Sequence, residues 1–209
     1  MTTQLISTPT PTRTYPLVEF FHSLQGEGAF SGVNAFFIRL AGCTVGCPWC
    51  DQKETWSAKR SPRVALADIT QLAADARPGI VVVTGGEPLM HDLDPLAQSL
   101  HQHNLRCHLE TSGAYPISGT WDWITLSPKS FKPPLSNNYA QIQELKVIIA
   151  HPDDFQWAEA QAAQVAPEIP KYLQPEWSQP QSQTWIFDYI LQNPQWRLSL
   201  QTHKYLGVR

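Results

Sequence analysis

The chain has 209 residues, of which 42% are hydrophobic and 16% are charged, and its formal net charge is -3. This composition supports one hydrophobic core and excludes an intrinsically disordered chain. Because the slightly acidic balance offers no basic surface to a phosphate backbone, nucleic acid is not an expected partner.

The N-terminal segment, residues 1–15, is rich in Thr and Pro and lacks the basic and apolar regions of a secretory signal. We therefore predict a flexible tail over residues 1–15 and a single domain over residues 16–209. No apolar run approaches the roughly 20 residues needed to span a bilayer. We expect a soluble protein of the cytoplasm with no membrane partner.

Short β-rich runs alternate with segments of helical periodicity, the pattern of βα units around a parallel sheet. The predicted strands cover residues 17–21, 35–40, 80–84, 106–110, 123–126, 144–149, 172–174 and 197–201. Apolar spacing predicts helices around residues 66–73, 93–100 and 186–190, and residues 174–183 are predicted to be a loop. A closed eightfold barrel typically needs about 250 residues. The predicted fold is therefore α/β, a trimmed and partly open (β/α) barrel.

Five polar segments directly follow predicted strands. They are residues 84–88, 110–113, 127–129, 174–175 and 201–204. In a parallel barrel the carboxyl ends of the strands converge on one mouth. The sequence therefore predicts one shared site for all five segments.

Three of the four cysteines, Cys43, Cys47 and Cys50, form a C-x3-C-x2-C cluster. Such a tight set in a reducing compartment is typical of a metal or cluster site rather than of disulfides. Three thiolates suit a [4Fe-4S] cluster with one iron open to a non-protein ligand. The alternative is a structural zinc site completed by a histidine or by Cys107. We expect Cys107 itself, inside a strand pattern, to be buried and inert.

Several motifs carry a resemblance to a known family. They are Ser-Leu-Gln-Gly-Glu-Gly at 23–28, Phe-Ile-Arg-Leu-Ala-Gly-Cys at 37–43, Trp-Cys-Asp at 49–51, Gly-Gly-Glu-Pro at 85–88 and Gln-Thr-His-Lys-Tyr-Leu at 201–206. With the cysteine triad they resemble the radical S-adenosylmethionine (SAM) superfamily and, within it, the 7-carboxy-7-deazaguanine synthases. The likeness runs from about residue 19 to residue 209. The alternative within the superfamily is another small radical SAM enzyme, such as a glycyl-radical activase. That alternative does not explain the motifs at residues 25–28 and 201–204.

The resemblance implies a barrel of the radical SAM type with a [4Fe-4S] cluster on the three clustered cysteines and SAM on the open iron. It implies that a radical formed from SAM starts the ring contraction of 6-carboxy-5,6,7,8-tetrahydropterin to 7-carboxy-7-deazaguanine, with loss of ammonia, on the route to queuosine. It also implies Mg²⁺, an electron donor such as flavodoxin or ferredoxin, and a homodimer.

The same resemblance assigns residues to each ligand. For SAM they are Trp49, Cys50, Asp51, Gly85, Gly86, Glu87, Ser112, Ser127, Pro128, Lys129, Gln174, Pro175, Glu176 and Trp177. For the substrate they are Leu24, Gln25, Gly26, Arg39, Thr84, Glu110, His203 and Arg209. Glycine at 85 and 86 would let the backbone approach the methionine moiety, and Arg39 offers a fork suited to a carboxylate.

One position departs from the family pattern. The family has Cys-Asp-Thr after the third cysteine, and the threonine hydroxyl ligates Mg²⁺, whereas this chain has Gln52. The Gln52 carbonyl could take the metal position, or its amide could donate a hydrogen bond to the substrate carboxylate. We favour the second arrangement, because the longer side chain would partly fill the space of the metal and its waters.

Overall fold

The structure, a computed structural model, describes residues 13–209. Its strands are β1 (Thr14–Leu24), β2 (Asn34–Leu40), β3 (Arg63–Ala65), β4 (Ile80–Gly85), β5 (Cys107–Thr111), β6 (Trp123–Leu126), β7 (Glu144–Ile149), β8 (Lys171–Pro175) and β9 (Trp196–Leu198). Its α-helices are α1 (Leu66–Ala76), α2 (Asp94–Gln102), α3 (Asp154–Ala162), α4 (Gln181–Gln192) and α5 (Thr202–Leu206). Within these residues, no helix is long and apolar enough to cross a membrane.

The nine strands form one sheet in the order β3-β1-β2-β4-β5-β6-β7-β8-β9, with β3 and β9 at its two ends. The sheet is not closed, which confirms the prediction of a partly open α/β barrel. Strands β2 and β4 to β9 pair in parallel, as expected from the βα alternation.

The expectation of a parallel sheet is wrong at one end, where β1 pairs antiparallel with both β2 and β3. The connection from β1 to β2 spans only residues 25–33. A parallel pair needs a crossover of a dozen or more residues, so this connection permits only an antiparallel pair. The three-residue strand β3 is too short to be recognised from an apolar pattern.

The two faces of the sheet differ because side chains alternate along each strand. On one face, apolar residues such as Ile38, Val83 and Leu109 pack with the helices into the main core. On the opposite face, a small apolar cluster that includes Phe37 and Val82 lies towards the beginnings of β2 and β4. Polar side chains follow it towards the strand ends, and these side chains form the site described below.

Other predicted boundaries also need correction. Strand β1 includes Thr14 and Tyr15 of the predicted tail, and Tyr15 is buried with its hydroxyl donating to the Asp92 carbonyl at 2.8 Å. The remaining tail residues, 1–12, lie outside the described part. The predicted loop at 174–183 is shorter, because β8 extends to Pro175 and α4 begins at Gln181. Helix α3 was missed because it buries only Ala158 and Gln161, and α5 was missed because it buries none of its residues.

Candidate active site

A cavity of about 460 Å³ lies at the carboxyl ends of the parallel strands. All five predicted polar segments contribute to its lining, as the convergence of strand ends in a barrel requires. The predicted residues that line it are Leu24, Gln25, Arg39, Cys43, Cys47, Cys50, Asp51, Gln52, Thr84, Gly85, Gly86, Glu87, Glu110, Ser112, Ser127, Lys129, Gln174, His203 and Arg209.

Six predicted residues do not line the cavity. They are Gly26, Trp49, Pro128, Pro175, Glu176 and Trp177. Gly26 instead packs against His203, since a Cβ on it would lie 2.1 Å from the imidazole Nδ1. Glu176 caps its own turn by accepting hydrogen bonds from Ser178. The Trp177 ring stands on the Tyr205 ring, with 5.4 Å between their centroids.

Three predicted substrate residues form one hydrogen-bonded group. The Gln25 amide donates to one oxygen of Glu110 at 2.9 Å, and the Thr84 hydroxyl donates to the other at 3.2 Å. Each carboxylate oxygen has a second lone pair, so Glu110 can still accept from a ligand. The group therefore presents an oriented acceptor to the cavity.

The two glycines after β4 are required by contacts within the protein. A Cβ on Gly85 would lie 2.1 Å from the Leu40 carbonyl oxygen, and one on Gly86 would lie 2.5 Å from that of Gly42 and 2.8 Å from the Cys43 Cβ. Gly85 also has a φ of +147°, which side-chain-bearing residues rarely adopt. Together they allow the end of β4 to pack directly under the cysteine loop.

Glu87 is buried and acts as an internal anchor. Its carboxylate accepts hydrogen bonds from the Leu89 amide at 3.0 Å, the Thr111 hydroxyl at 2.6 Å, and the Ser112 amide and hydroxyl at 2.8 and 2.5 Å. These bonds join the segment after β4 to the end of β5. Glu87 therefore shapes the cavity wall.

Lys129 is buried between the cysteine loop and β6. Burial lowers its pKa to about 8, and its Nζ donates to the carbonyl and hydroxyl of Ser127 at 2.5 and 2.7 Å. The ammonium lies 5.7 Å from the centre of the Trp49 ring, within cation–π range. Trp49 therefore does not line the cavity itself but contacts Lys129, which does.

A buried ion pair between Glu27 and Lys146 was not predicted. Burial opposes the charge on Glu27, but Lys146 and an amide bond from Gln201 at 2.9 Å hold its pKa down at about 2. Lys146 faces inwards from β7, on the same face as Glu144. The signal in the sequence is a pair of polar residues at the first and third positions of a strand that is otherwise apolar.

The C-terminal segment closes one side of the cavity. Thr202 bonds to the Gly26 carbonyl through its amide at 3.0 Å and through its hydroxyl at 3.1 Å. Lys204 forms an ion pair with Asp51, beside the last loop cysteine, at 2.7 Å. Burial lowers the pKa of His203, which favours a neutral imidazole at the cavity. Helix α5 thus connects the loop after β1 to the cysteine loop.

Three loop thiols line the cavity within the segment after β2, and burial raises the pKa of Cys47 to about 11. In residues 13–209, only His101, Cys107 and Asp122 place three His, Cys, Asp or Glu ligand atoms within 4.8 Å of one another. A tetrahedral zinc site with Zn–S bonds of about 2.3 Å needs sulfurs roughly 4 Å apart. At least one pair of loop thiols therefore lies more than 4.8 Å apart, wider than the sulfur spacing of a tetrahedral zinc site.

Cys107 behaves as predicted, as a buried thiol. Burial raises its pKa to about 12, and its Sγ donates to the Leu105 carbonyl. Asp122 accepts from the Cys107 amide at 2.7 Å and pairs with His101 at 3.0 Å. This three-residue group is therefore a hydrogen-bonded connection between β5 and the start of β6.

Comparison with known proteins agrees with this geometry. The radical SAM superfamily matches residues 37–145. Three relatives are each named 7-carboxy-7-deazaguanine synthase. This chain is 59% identical to the one from Synechocystis sp., with 95% of both chains aligned, and 50% identical to the one from Flavobacterium psychrophilum, with 92% of both aligned. It is 37% identical to the one from Escherichia coli K12, with 93% of this chain and 99% of the relative aligned. A crystal structure of QueE from Escherichia coli covers 90% of this chain and 93% of its own, with a TM-score of 0.80 at 31% identity.

This chain belongs to the 7-carboxy-7-deazaguanine synthase family of radical SAM enzymes. Membership implies a [4Fe-4S] cluster and SAM as cofactors, and Cys43, Cys47 and Cys50 are the thiols that line the cavity. The donor set fits the cluster, since three thiolates leave one iron available to SAM. The enzyme acts on a small-molecule substrate.

Several cavity residues were missed by reasoning from the sequence. They are Glu19, Phe21, Glu27, Phe37, Thr125, Lys146, Gln201 and Lys204. Glu27, Gln201 and Lys204 stand inside quoted motifs without having been assigned a role. Glu19 and Lys146 occupy inward positions of strands, and the pairing register decides which cavity residues they meet.

Proposed function

We propose that this enzyme converts 6-carboxy-5,6,7,8-tetrahydropterin to 7-carboxy-7-deazaguanine and ammonia. The observation that carries the proposal is one cavity that holds both the three cysteines and the Gln25–Thr84–Glu110 group. The names of the relatives support the product. When bound, the cluster and SAM supply a 5'-deoxyadenosyl radical that abstracts a hydrogen atom from the substrate.

The residues of the chain bind and orient the substrate. Glu110 is held by Gln25 and Thr84, and its free lone pairs suit the amino-bearing edge of a pterin. Arg39 lines the same cavity and offers a partner for the substrate carboxylate. His203 and the bonds of α5 to the loop after β1 limit the access of water to this side of the site.

The role of Mg²⁺ depends on Gln52. Its side chain lines the cavity and, within residues 13–209, forms no hydrogen bond, while its main-chain carbonyl accepts from Thr55. The amide is therefore available to a ligand. We propose that it donates to the substrate carboxylate, so that turnover depends only weakly on Mg²⁺.

The matched variant for this proposal is Gln52→Thr, which restores the family hydroxyl. We expect Mg²⁺ titration after EDTA treatment to stimulate the variant more strongly than the wild-type enzyme. A wild-type enzyme that is almost inactive without Mg²⁺ and fully restored by it would place Gln52 among the metal ligands.

Two partners belong to the same proposal. Reduction of the cluster requires an electron donor such as flavodoxin or ferredoxin, which can be tested by replacing dithionite with each protein in the assay. A homodimer is supported by exposed apolar side chains on α4 and β9, among them Phe187, Leu191 and Leu198. Light scattering coupled to size exclusion would measure the mass of the reconstituted enzyme.

The decisive experiment is anaerobic cluster reconstitution followed by incubation with SAM, a reductant and 6-carboxytetrahydropterin. We expect a brown protein and a deazapurine detected by mass. A colourless protein with one zinc would support the non-catalytic alternative. A brown protein that cleaves SAM without forming the deazapurine would indicate another radical SAM reaction, such as that of a glycyl-radical activase.

A further inference from the structure

Glu19 is an acidic residue of β1 that joins two arginines at the edge of the cavity. Its Oε1 accepts a hydrogen bond from the Arg39 Nε at 2.8 Å, and its Oε2 forms an ion pair with an Arg209 terminal nitrogen at 2.7 Å. The Glu19 and Arg39 side chains are only 18% and 17% exposed, whereas that of Arg209 is 71% exposed. The Glu19–Arg39 bond is therefore shielded from solvent, and the bond to Arg209 is not.

The backbone brings Glu19 and Arg39 together. The two residues are direct partners in the antiparallel pair of β1 and β2, and the register shifts between Leu17 and Glu19. Such an irregularity changes the direction in which the following side chains point. The shift therefore selects Glu19 as the partner that meets Arg39 on the cavity face.

The bond at Nε leaves most of the Arg39 guanidinium available. This planar group has five N–H donors, and the two terminal nitrogens form the fork that binds carboxylates in a bidentate manner. In the described residues, Glu19 is the protein acceptor of Arg39, and the bond uses Nε alone. Because Arg39 also lines the cavity and its terminal nitrogens form no hydrogen bond within residues 13–209, these nitrogens are available to a ligand there.

We propose that Glu19 is a positioning residue that orients Arg39 towards the carboxylate of the substrate. This inference rests on the proposed function, which supplies a carboxylated pterin as the ligand. An arginine that is free to rotate loses side-chain conformational entropy when it binds a ligand. Because Glu19 already holds the Arg39 side chain in one conformation, less of this entropy is lost on binding. Glu19 thus contributes to recognition of the carboxylate without contacting it.

The second arginine extends the same arrangement. Arg209 and Arg39 both lie beside the Phe21 ring, at 5.6 and 5.8 Å from its centre, and Phe21 stacks on Phe37. One carboxylate that pairs with both guanidinium groups reduces their mutual repulsion. Glu19 therefore allows both cations to stay at one wall of the cavity.

The test compares two ligands on the reconstituted enzyme with SAM bound. 6-Carboxypterin carries the carboxylate, and pterin-6-carboxamide replaces it with a neutral group of the same size. For Glu19→Gln, we expect the affinity for 6-carboxypterin to fall about tenfold, because the charge-assisted hydrogen bond that orients Arg39 is lost. Affinity for the carboxamide should stay within about twofold, and iron content and SAM binding should not change.

The matched control is Asp92→Asn, which breaks the Arg13–Asp92 ion pair at 2.7 Å, away from the cavity. It should leave both affinities unchanged. If Glu19→Gln loses its cluster, Glu19→Asp is measured in the same way, because it keeps the charge and moves it by one methylene. An equal loss for both ligands, or no loss for the carboxylate, would overturn the role of Glu19. A wild-type enzyme that binds neither pterin would overturn the proposed function as well.

Discussion

Replacement of Lys146 by methionine tests the buried ion pair most directly. The Lys146 and Glu27 side chains are 6% and 15% exposed, and Glu110 and Glu144 also stabilise the ammonium. Without the ammonium, three carboxylates would remain in a poorly hydrated space. Breaking a buried pair in this way costs about 3 to 5 kcal/mol. For a chain of this size, the expected fall in Tm is roughly 10 °C.

The pH dependence gives an independent measure of the same pair. The pKa of Glu27 is about 2, against an ordinary value of 4.5. A lowered pKa adds stability above pH 4.5 that is lost as the pH falls towards 2, and the shift corresponds to about 3 kcal/mol. The stability difference between wild type and Lys146→Met should therefore shrink below pH 4.5.

The assay is thermal unfolding followed by circular dichroism, at pH 7 on the reconstituted enzyme and between pH 7 and 3 on cluster-free protein. The control Asp92→Asn breaks an exposed pair and should cost less than about 1 kcal/mol. The double variant Glu27→Gln/Lys146→Met should recover part of the loss. A Tm for Lys146→Met equal to that of the control would refute the reasoning. So would a double variant whose loss of stability equals the sum of the losses of Glu27→Gln and Lys146→Met measured singly.

Three further predictions concern the cluster and the chain end. Alanine at any of the three loop cysteines should abolish the visible chromophore, whereas Cys107→Ala should retain it; an equal loss of iron from Cys107→Ala would show that the ligands are misassigned. Gly86→Ala should lower iron content, because its Cβ would lie 2.5 Å from the Gly42 carbonyl oxygen and displace the cysteine loop; unchanged iron would show that the loop adapts. Deletion from His203 onwards should remove pterin turnover while iron and SAM binding persist, and normal turnover by the shortened enzyme would show that α5 is dispensable.

The three thiols proposed as cluster ligands can be recognised in the sequence, because they lie within eight consecutive positions. Their spacing does not depend on how distant strands pair, so the thiolate set could be named before any fold. The same holds for Gly-Gly-Glu-Pro at 85–88 and for the other polar segments, since each follows directly after an apolar run. The convergence of parallel strand ends then predicts that they share one cavity.

The tertiary structure decided how the charges at the cavity are neutralised. Lys146 meets Glu27 across 119 positions of sequence, and Arg209 reaches Glu19 from the opposite end of the chain. Neither strand β1 nor strand β7 alone indicates these partners. They depend on the register between strands, where a shift of one residue moves every side chain to the other face.

The sequence by itself indicated the three candidate cluster thiols and determined the α/β class of this protein, because both follow from short local patterns. It also indicated that Arg39 stands where a carboxylate could bind. Only the folded chain shows that the Nε of Arg39 is already bound by Glu19, since that contact follows from the irregular register between β1 and β2. Long-range pairing is a property of the whole sheet, and its register is set by the packing of both faces together.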